Sequence, residues 1–215
     1  MAVIPTIIGQ RNFEVIRDQI AAILTDELNQ QRTLLSEVTG DDRDQDLINY
    51  LGDLDIITER YAEPSEEDFP FVDVFFFNDD FDNKDPFAKR GTTQYIIDVF
   101  SIGEKQTPTG SEGGVVSATR GQRVAGMIDS ILEFPHYNKL LQPNGVVNRT
   151  LVRSIKRTEE ENSRDSINII LYRVIFEVVM GESVGSLTGP LAQNNITNVS
   201  IGESDLGYVW EFIED

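Results

Sequence analysis

The sequence predicts an α+β fold: a mostly antiparallel sheet packed by two main helices, with a C-terminal extension. Three observations predict it. Apolar residues recur at helical spacing in two well-separated segments, 11–38 and 117–134. Strand-like runs rich in Val, Ile and Phe are bunched between and after them, and polar stretches short enough for hairpins join some of these runs. After Gly181 the composition shifts to Gly, Ser, Asn and Thr. Strands grouped together with helices apart from them are the signature of this class.

In the first helix Phe13, Ile16, Ile20, Ile23, Leu24 and Leu28 make the stripe. Leu34, Leu35 and Val38 extend it, and the run Thr39, Gly40, Asp41, Asp42 stops it. Residues 44–63 read two ways, as a helical turn through Leu47, Ile48 and Leu51 or as a strand through Leu54, Ile56 and Thr58. The stretch 69–77, FPFVDVFFF, is a strand. The polar stretch 78–90 is expected as a loop, and 93–102, TQYIIDVFSI, as the next strand. The Gly, Pro, Thr and Ser of 104–114 predict a mobile loop. Residues 117–134 form the second helix, with Val124, Ile128, Ile131 and Leu132 as its stripe and Ser117 as N-cap. Strands follow at 150–158 and 166–180, joined by the polar linker 159–165.

The last of these strands has one unbroken apolar face, Ile170, Tyr172, Val174, Phe176, Val178 and Met180, whereas Arg173 and Glu177 interrupt the other. At roughly 3.3 Å per residue a strand over 167–180 would be about 46 Å long. A strand that long is expected to project beyond its own sheet and touch another subunit. The chain thus divides into a domain over 1–180 and an arm over 181–215. The arm is expected to be flexible to 207 and to bind outside its own domain through Tyr208, Trp210 and Phe212.

Composition narrows the function. The 215 residues suffice for one sizeable core. With 37 acidic against 18 basic residues the net charge is -19, so the bulk surface should repel nucleic acid and other copies of the chain. The absence of cysteine removes disulfides, thiol chemistry and the usual Cys-containing zinc sites. No apolar run approaches the roughly 18–20 residues of a membrane helix, so a soluble protein is expected.

Candidate chemistry is sparse. The acidic run over 78–85 places Asp80 and Asp82 at alternate positions, but Lys84 and Asp85 break the calcium-loop pattern. Asp73 and Asp98 each stand in the context Asp-Val-Phe; on adjacent strands they could hold Mg²⁺ as nuclease carboxylates do, although the companion lysine motif is missing. Two acids at a sheet edge or facing a lumen are the plainer reading. His136, the only histidine, has no nucleophile nearby, and 110–114 matches no phosphate-binding loop. No catalytic residue, metal ligand or cofactor is therefore assigned.

Arg120, Arg123, Arg149, Arg153, Lys156 and Arg157 are gathered in the second helix and the strand at 150–158. In so acidic a chain they suit docking against another copy better than binding nucleic acid. Arg149, Arg153 and Arg157 are expected to face an adjacent subunit's acidic segment containing Asp79, Asp80 and Asp82.

Several segments in order resemble the tail terminator (tail-completion) proteins of long-tailed bacteriophages. These are YIIDVFSIG at 95–103, ATRGQRVAGMIDSIL at 118–132, His136 with Tyr137, RTLVRSI at 149–155 and IILYRVIFEV at 169–178. The likeness covers roughly residues 10–180 and rests on the order and flavour of elements rather than on a diagnostic motif; the arm lies beyond it. It implies a structural virion protein, assembled in the host cytoplasm, whose hexameric ring ends tube growth and joins tail to head. Its partners would be the tail tube or sheath and neck proteins, with DNA passing through unbound and no membrane involved. Another head–tail neck or stopper protein, a metal-dependent nuclease using Asp73 and Asp98, and a cytoplasmic binding module are the alternatives.

Overall fold

The computed structural model describes residues 11–38, 42–59, 70–82, 89–104, 112–134, 147–159, 167–182, 198–204 and 207–213. Expectations for His136, for residues 83–88 and 105–110, and for the linker 160–165 lie outside them. The elements run α1 (Asn12–Val38), α2 (Asp42–Gly52), β1 (Asp55–Thr58), β2 (Phe71–Asp82), β3 (Lys89–Glu104), α3 (Glu112–Glu133), β4 (Val147–Glu159), β5 (Ile167–Glu182), β6 (Asn198–Ser204) and β7 (Gly207–Ile213). Residues 11–182 form one compact unit, and β6 and β7 pair with each other in a second.

The main unit is an α+β fold with a five-stranded sheet in the order β1-β2-β3-β5-β4. Only β1 and β2 run parallel; the other pairs are antiparallel. Pairing of β3 with β5 is unbroken from Lys89–Glu182 to Glu104–Ile167. The expected alternation on β5 is observed: Ile170, Tyr172, Val174, Phe176, Val178 and Met180 are all buried. They join Ile16, Ile20, Leu24 and Leu28 of α1 and Val124, Ile128, Ile131 and Leu132 of α3 in one core. On the opposite face of the sheet Phe71, Ile96, Ile169 and Leu171 are also buried, and Phe71 stacks on Phe100 with ring centroids 4.5 Å apart.

At its start α1 is fixed by Glu14, whose carboxylate accepts from the Arg11 backbone N–H at 2.6 Å, as in a capping box. Phe13 packs on Phe76 at 4.7 Å between centroids, and the Tyr95 hydroxyl donates to the Phe13 carbonyl at 3.0 Å. At 1.5 Å per residue the 27-residue helix is about 40 Å long. Its buried residues end at Leu28, and Val38 is 81% exposed.

Residues 44–63 hold both of the elements read there: α2 carries Leu47, Ile48 and Leu51 and buries them with Tyr50, and β1 follows. Other expectations are corrected. Asp79, Asp80 and Asp82 lie in β2 and not in a loop: pairing with Thr93, Thr92 and Arg90 of β3 outweighs the low strand propensity of Asp and Asn. Ser117 is no N-cap. The helix starts at Glu112, and Ser117 is buried, donating to the Ser101 carbonyl at 2.7 Å while Ser101 donates to the Ser117 carbonyl at 2.8 Å. Within the arm, β6 and β7 pair antiparallel with each other.

Gly121 sets how closely α3 approaches the sheet. A Cβ there would lie 2.7 Å from Tyr172 Cδ2 and 2.9 Å from Ser101 Cβ, whereas one at Gly126 would meet nothing within 4 Å. Gly121→Ala should therefore cost about 1–3 kcal/mol through overpacking. Gly126→Ala should gain about 0.5–1 kcal/mol from helix propensity. Urea denaturation of the two variants checks the opposite signs.

Candidate assembly surface

A row of register partners crosses the whole sheet: Ile57, Asp73, Asp98, Arg173 and Lys156. Asp73 and Asp98 are therefore neighbours, as adjacency of their strands would require, but they sit on inner strands and not at an edge. Both are buried. Arg173 takes both oxygens of Asp98, Nε to Oδ1 at 2.8 Å and Nη2 to Oδ2 at 2.7 Å. The Asp98 side chain is 5% exposed and that of Arg173 39%. The hydrogen bond to Asp98 raises the already high pKa of the Arg173 guanidinium. A metal ion on these carboxylates would have to displace a bidentate guanidinium. Among the described residues no group of three or more His, Cys, Asp or Glu could hold a metal ion.

The two sheet edges differ in charge. β4 forms one edge and carries Arg149, Arg153, Lys156 and Arg157, all exposed. Arg153 is held within its own chain, its Nε 2.6 Å from Glu177 Oε2; Gln94 donates to Oε1 of the same carboxylate at 2.8 Å. Ile155, between the cations, is 41% exposed. At the opposite edge β1 covers β2 only over Phe71–Val74. Glu59 is the last described residue of this segment. Its backbone N–H donates to the Val74 carbonyl at 3.3 Å, and its carboxylate accepts from the Phe76 N–H at 3.0 Å and from Arg17 at 3.1 Å. Its φ of 53° lies in the left-handed region that residues other than glycine rarely adopt.

Beyond Phe76 the edge of β2 is acidic. Phe77 stands at a bulge and is 59% exposed. Asp79 is half-buried and accepts from the Thr93 hydroxyl; Asp80 is exposed; Asp82 ends the strand. The structure thus brings Arg149, Arg153 and Arg157 together on one strand and Asp79, Asp80 and Asp82 on another. It puts Arg120 and Arg123 elsewhere, on α3.

Arg120 ties α3 to α2. Its Nε donates to Asp46 Oδ2 at 2.9 Å, Nη2 donates to Oδ1, and Nη1 donates to the Ile102 carbonyl at 3.3 Å. The bond from Arg120 lowers the Asp46 pKa. The guanidinium also lies 5.3 Å from the centroid of the Tyr50 ring. Burial pushes the Tyr50 hydroxyl up to about 12. Since the unfolded phenol titrates near 10, the folded state holds its proton longer. This contribution is whole below about pH 10 and is lost as pH rises to about 12, a fall of about 3 kcal/mol. Tyr50→Phe should flatten that part of the alkaline stability profile, read by denaturation at pH 9–12.

Tyr208, Trp210 and Phe212 occupy alternate positions of β7, opposite Glu203, Ile201 and Val199 of β6. Sequence reasoning missed β6; the alternation of Val199 and Ile201 with polar residues was its signal. Also missed is a groove of 720 Å³ lined by Leu35, Leu47, Met127, Ile131 and Phe134 from α1, α2 and the end of α3. No described helix is long and apolar enough to cross a membrane.

No protein-family model matches the chain, and none of the curated proteins does. Among solved structures the chain is similar to one from the virion of a native gene transfer agent particle. The TM-score is 0.40 at 10% identity, over 70% of this chain and 91% of that one.

Proposed function

We propose that this is a structural virion protein that assembles with copies of itself into a ring at the head-proximal end of a phage tail, where it ends tube growth and joins tail to head. One observation carries the reading. β4 is a thirteen-residue edge strand with four exposed cations in a chain of net charge -19. A basic edge on an acidic protein is a surface for an acidic partner, and a second copy supplies one. The resemblance of residues 10–180 to tail terminators supplies the ring and its place in the particle. On this reading the acidic bulk lets DNA pass without adhering.

The occupation of Asp98 by Arg173 weighs against the nuclease alternative. Light scattering and negative-stain microscopy of the purified full chain test the proposal. Closed rings of uniform size are the expected result. A monomer at every concentration and salt, or Mg²⁺-dependent cleavage of DNA that disappears in Asp98→Ala, overturns it.

A further inference from the structure

We infer that neighbouring copies join edge to edge and head to tail, the free side of β4 in one copy lying along the segment of β2 beyond Phe76 in the next. This deepens the self-assembly reading and rests on it. Among the described residues both edges lack a strand neighbour on that side: β4 pairs only with β5, and β1 stops at Val74 of β2. An open edge presents unpaired backbone N–H and C=O groups that template a further strand.

The lengths match. A register shift at Val152/Ser154 leaves Ser154–Glu159 as a regular six-residue stretch against β5. The shift at Phe76/Asn78 leaves Asn78–Asp82 as a regular five-residue stretch against β3. An exposed large apolar residue lies near the start of each stretch, Ile155 within that of β4 and Phe77 at the bulge just before that of β2.

Charge selects the pairing. The β4 stretch carries Lys156 and Arg157 with Glu159 at its end, and the β2 stretch carries Asp79, Asp80 and Asp82 and no cation. Two β4 edges would set cations against cations, and two β2 edges carboxylates against carboxylates. Only the unlike pair is complementary. Charged residues and bulges are common devices for keeping strand edges from pairing at random; here the same charges leave one permitted combination. Because the two edges lie on opposite sides of the sheet, each copy offers one of each. Such a contact is heterologous, and repeated with a closing rotation it makes a ring.

The absence of cysteine makes the test direct. Chains carrying only Ile155→Cys are mixed with chains carrying only Phe77→Cys and treated with a short bismaleimide; Lys156→Cys with Asp80→Cys repeats the test at a second pair of sites. A band at twice the chain mass in each mixture, and in neither variant alone, is the expected result. Cross-linking of either single variant with itself shows a like-with-like contact and overturns the inference. Rings without any cross-link in either mixture overturn it too, while leaving the self-assembly reading intact. Failure of the unmodified chain to assemble overturns that reading, and the inference with it.

Discussion

Replacing Arg173 with Ala should destabilise the protein by about 3 kcal/mol, the lower end of the range for breaking a buried ion pair. The loss comes from what remains. Asp98, 5% exposed, would lose the guanidinium that holds both its oxygens and be left with buried polar atoms unsatisfied. The register also places Asp73 beside it. Asp98→Ala leaves a cation whose side chain is 39% exposed and can turn to water, so its loss should be smaller. Converting both residues to Leu should restore most of the stability, because an apolar pair needs no compensation. Arg153→Ala is the control. That side chain is 58% exposed beside Glu177, and an exposed pair is worth only about 0–1 kcal/mol. Urea denaturation of the four variants orders them. Equal losses for Arg173→Ala and Arg153→Ala would show that Asp98 finds another partner.

Much of this fold was legible because its core follows simple periods. The stripe of α1 needed only the spacing of Ile16, Ile20, Leu24 and Leu28, all buried as expected. The buried face of β5 needed only alternation. What the sequence hid depends on partners distant in the chain. Asn78–Asp82 reads as a loop by composition and becomes strand because β3 lies alongside it. Ser117 reads as a cap until Ser101, sixteen residues away, is brought within hydrogen-bonding distance.

The candidate surface divides in the same way. Three of the cations expected at an interface, Arg149, Arg153 and Arg157, do share one exposed edge, since all three lie on β4. Arg120 looked equivalent in sequence but forks onto Asp46, 74 residues away. A metal on Asp98 stood as an alternative because its partner, 75 residues further on, reads in sequence as an interruption of an apolar face. Local pattern reveals which residues face the core. It does not reveal which charges are spent inside the subunit.

Phe176→Ala should cost about 3–5 kcal/mol, the largest loss expected of any single truncation in the sheet. Phe176 is fully buried near the middle of β5, opposite Tyr95 of β3 and Val152 of β4. Removing the ring takes apolar surface from the shared core and opens a cavity there, where close packing leaves little room for collapse. For a chain of this size the loss corresponds to a fall in Tm of roughly 6–20 °C. Ile175→Ala, one residue away on the opposite and only half-buried face, should cost less because less apolar area returns to water. The Phe176 loss should be the same at protein concentrations below and above assembly, because the core belongs to the single subunit. A loss that grows with concentration would mean that β5 is held by the neighbouring copy, and one under about 1 kcal/mol would mean that this face does not hold the subunit together.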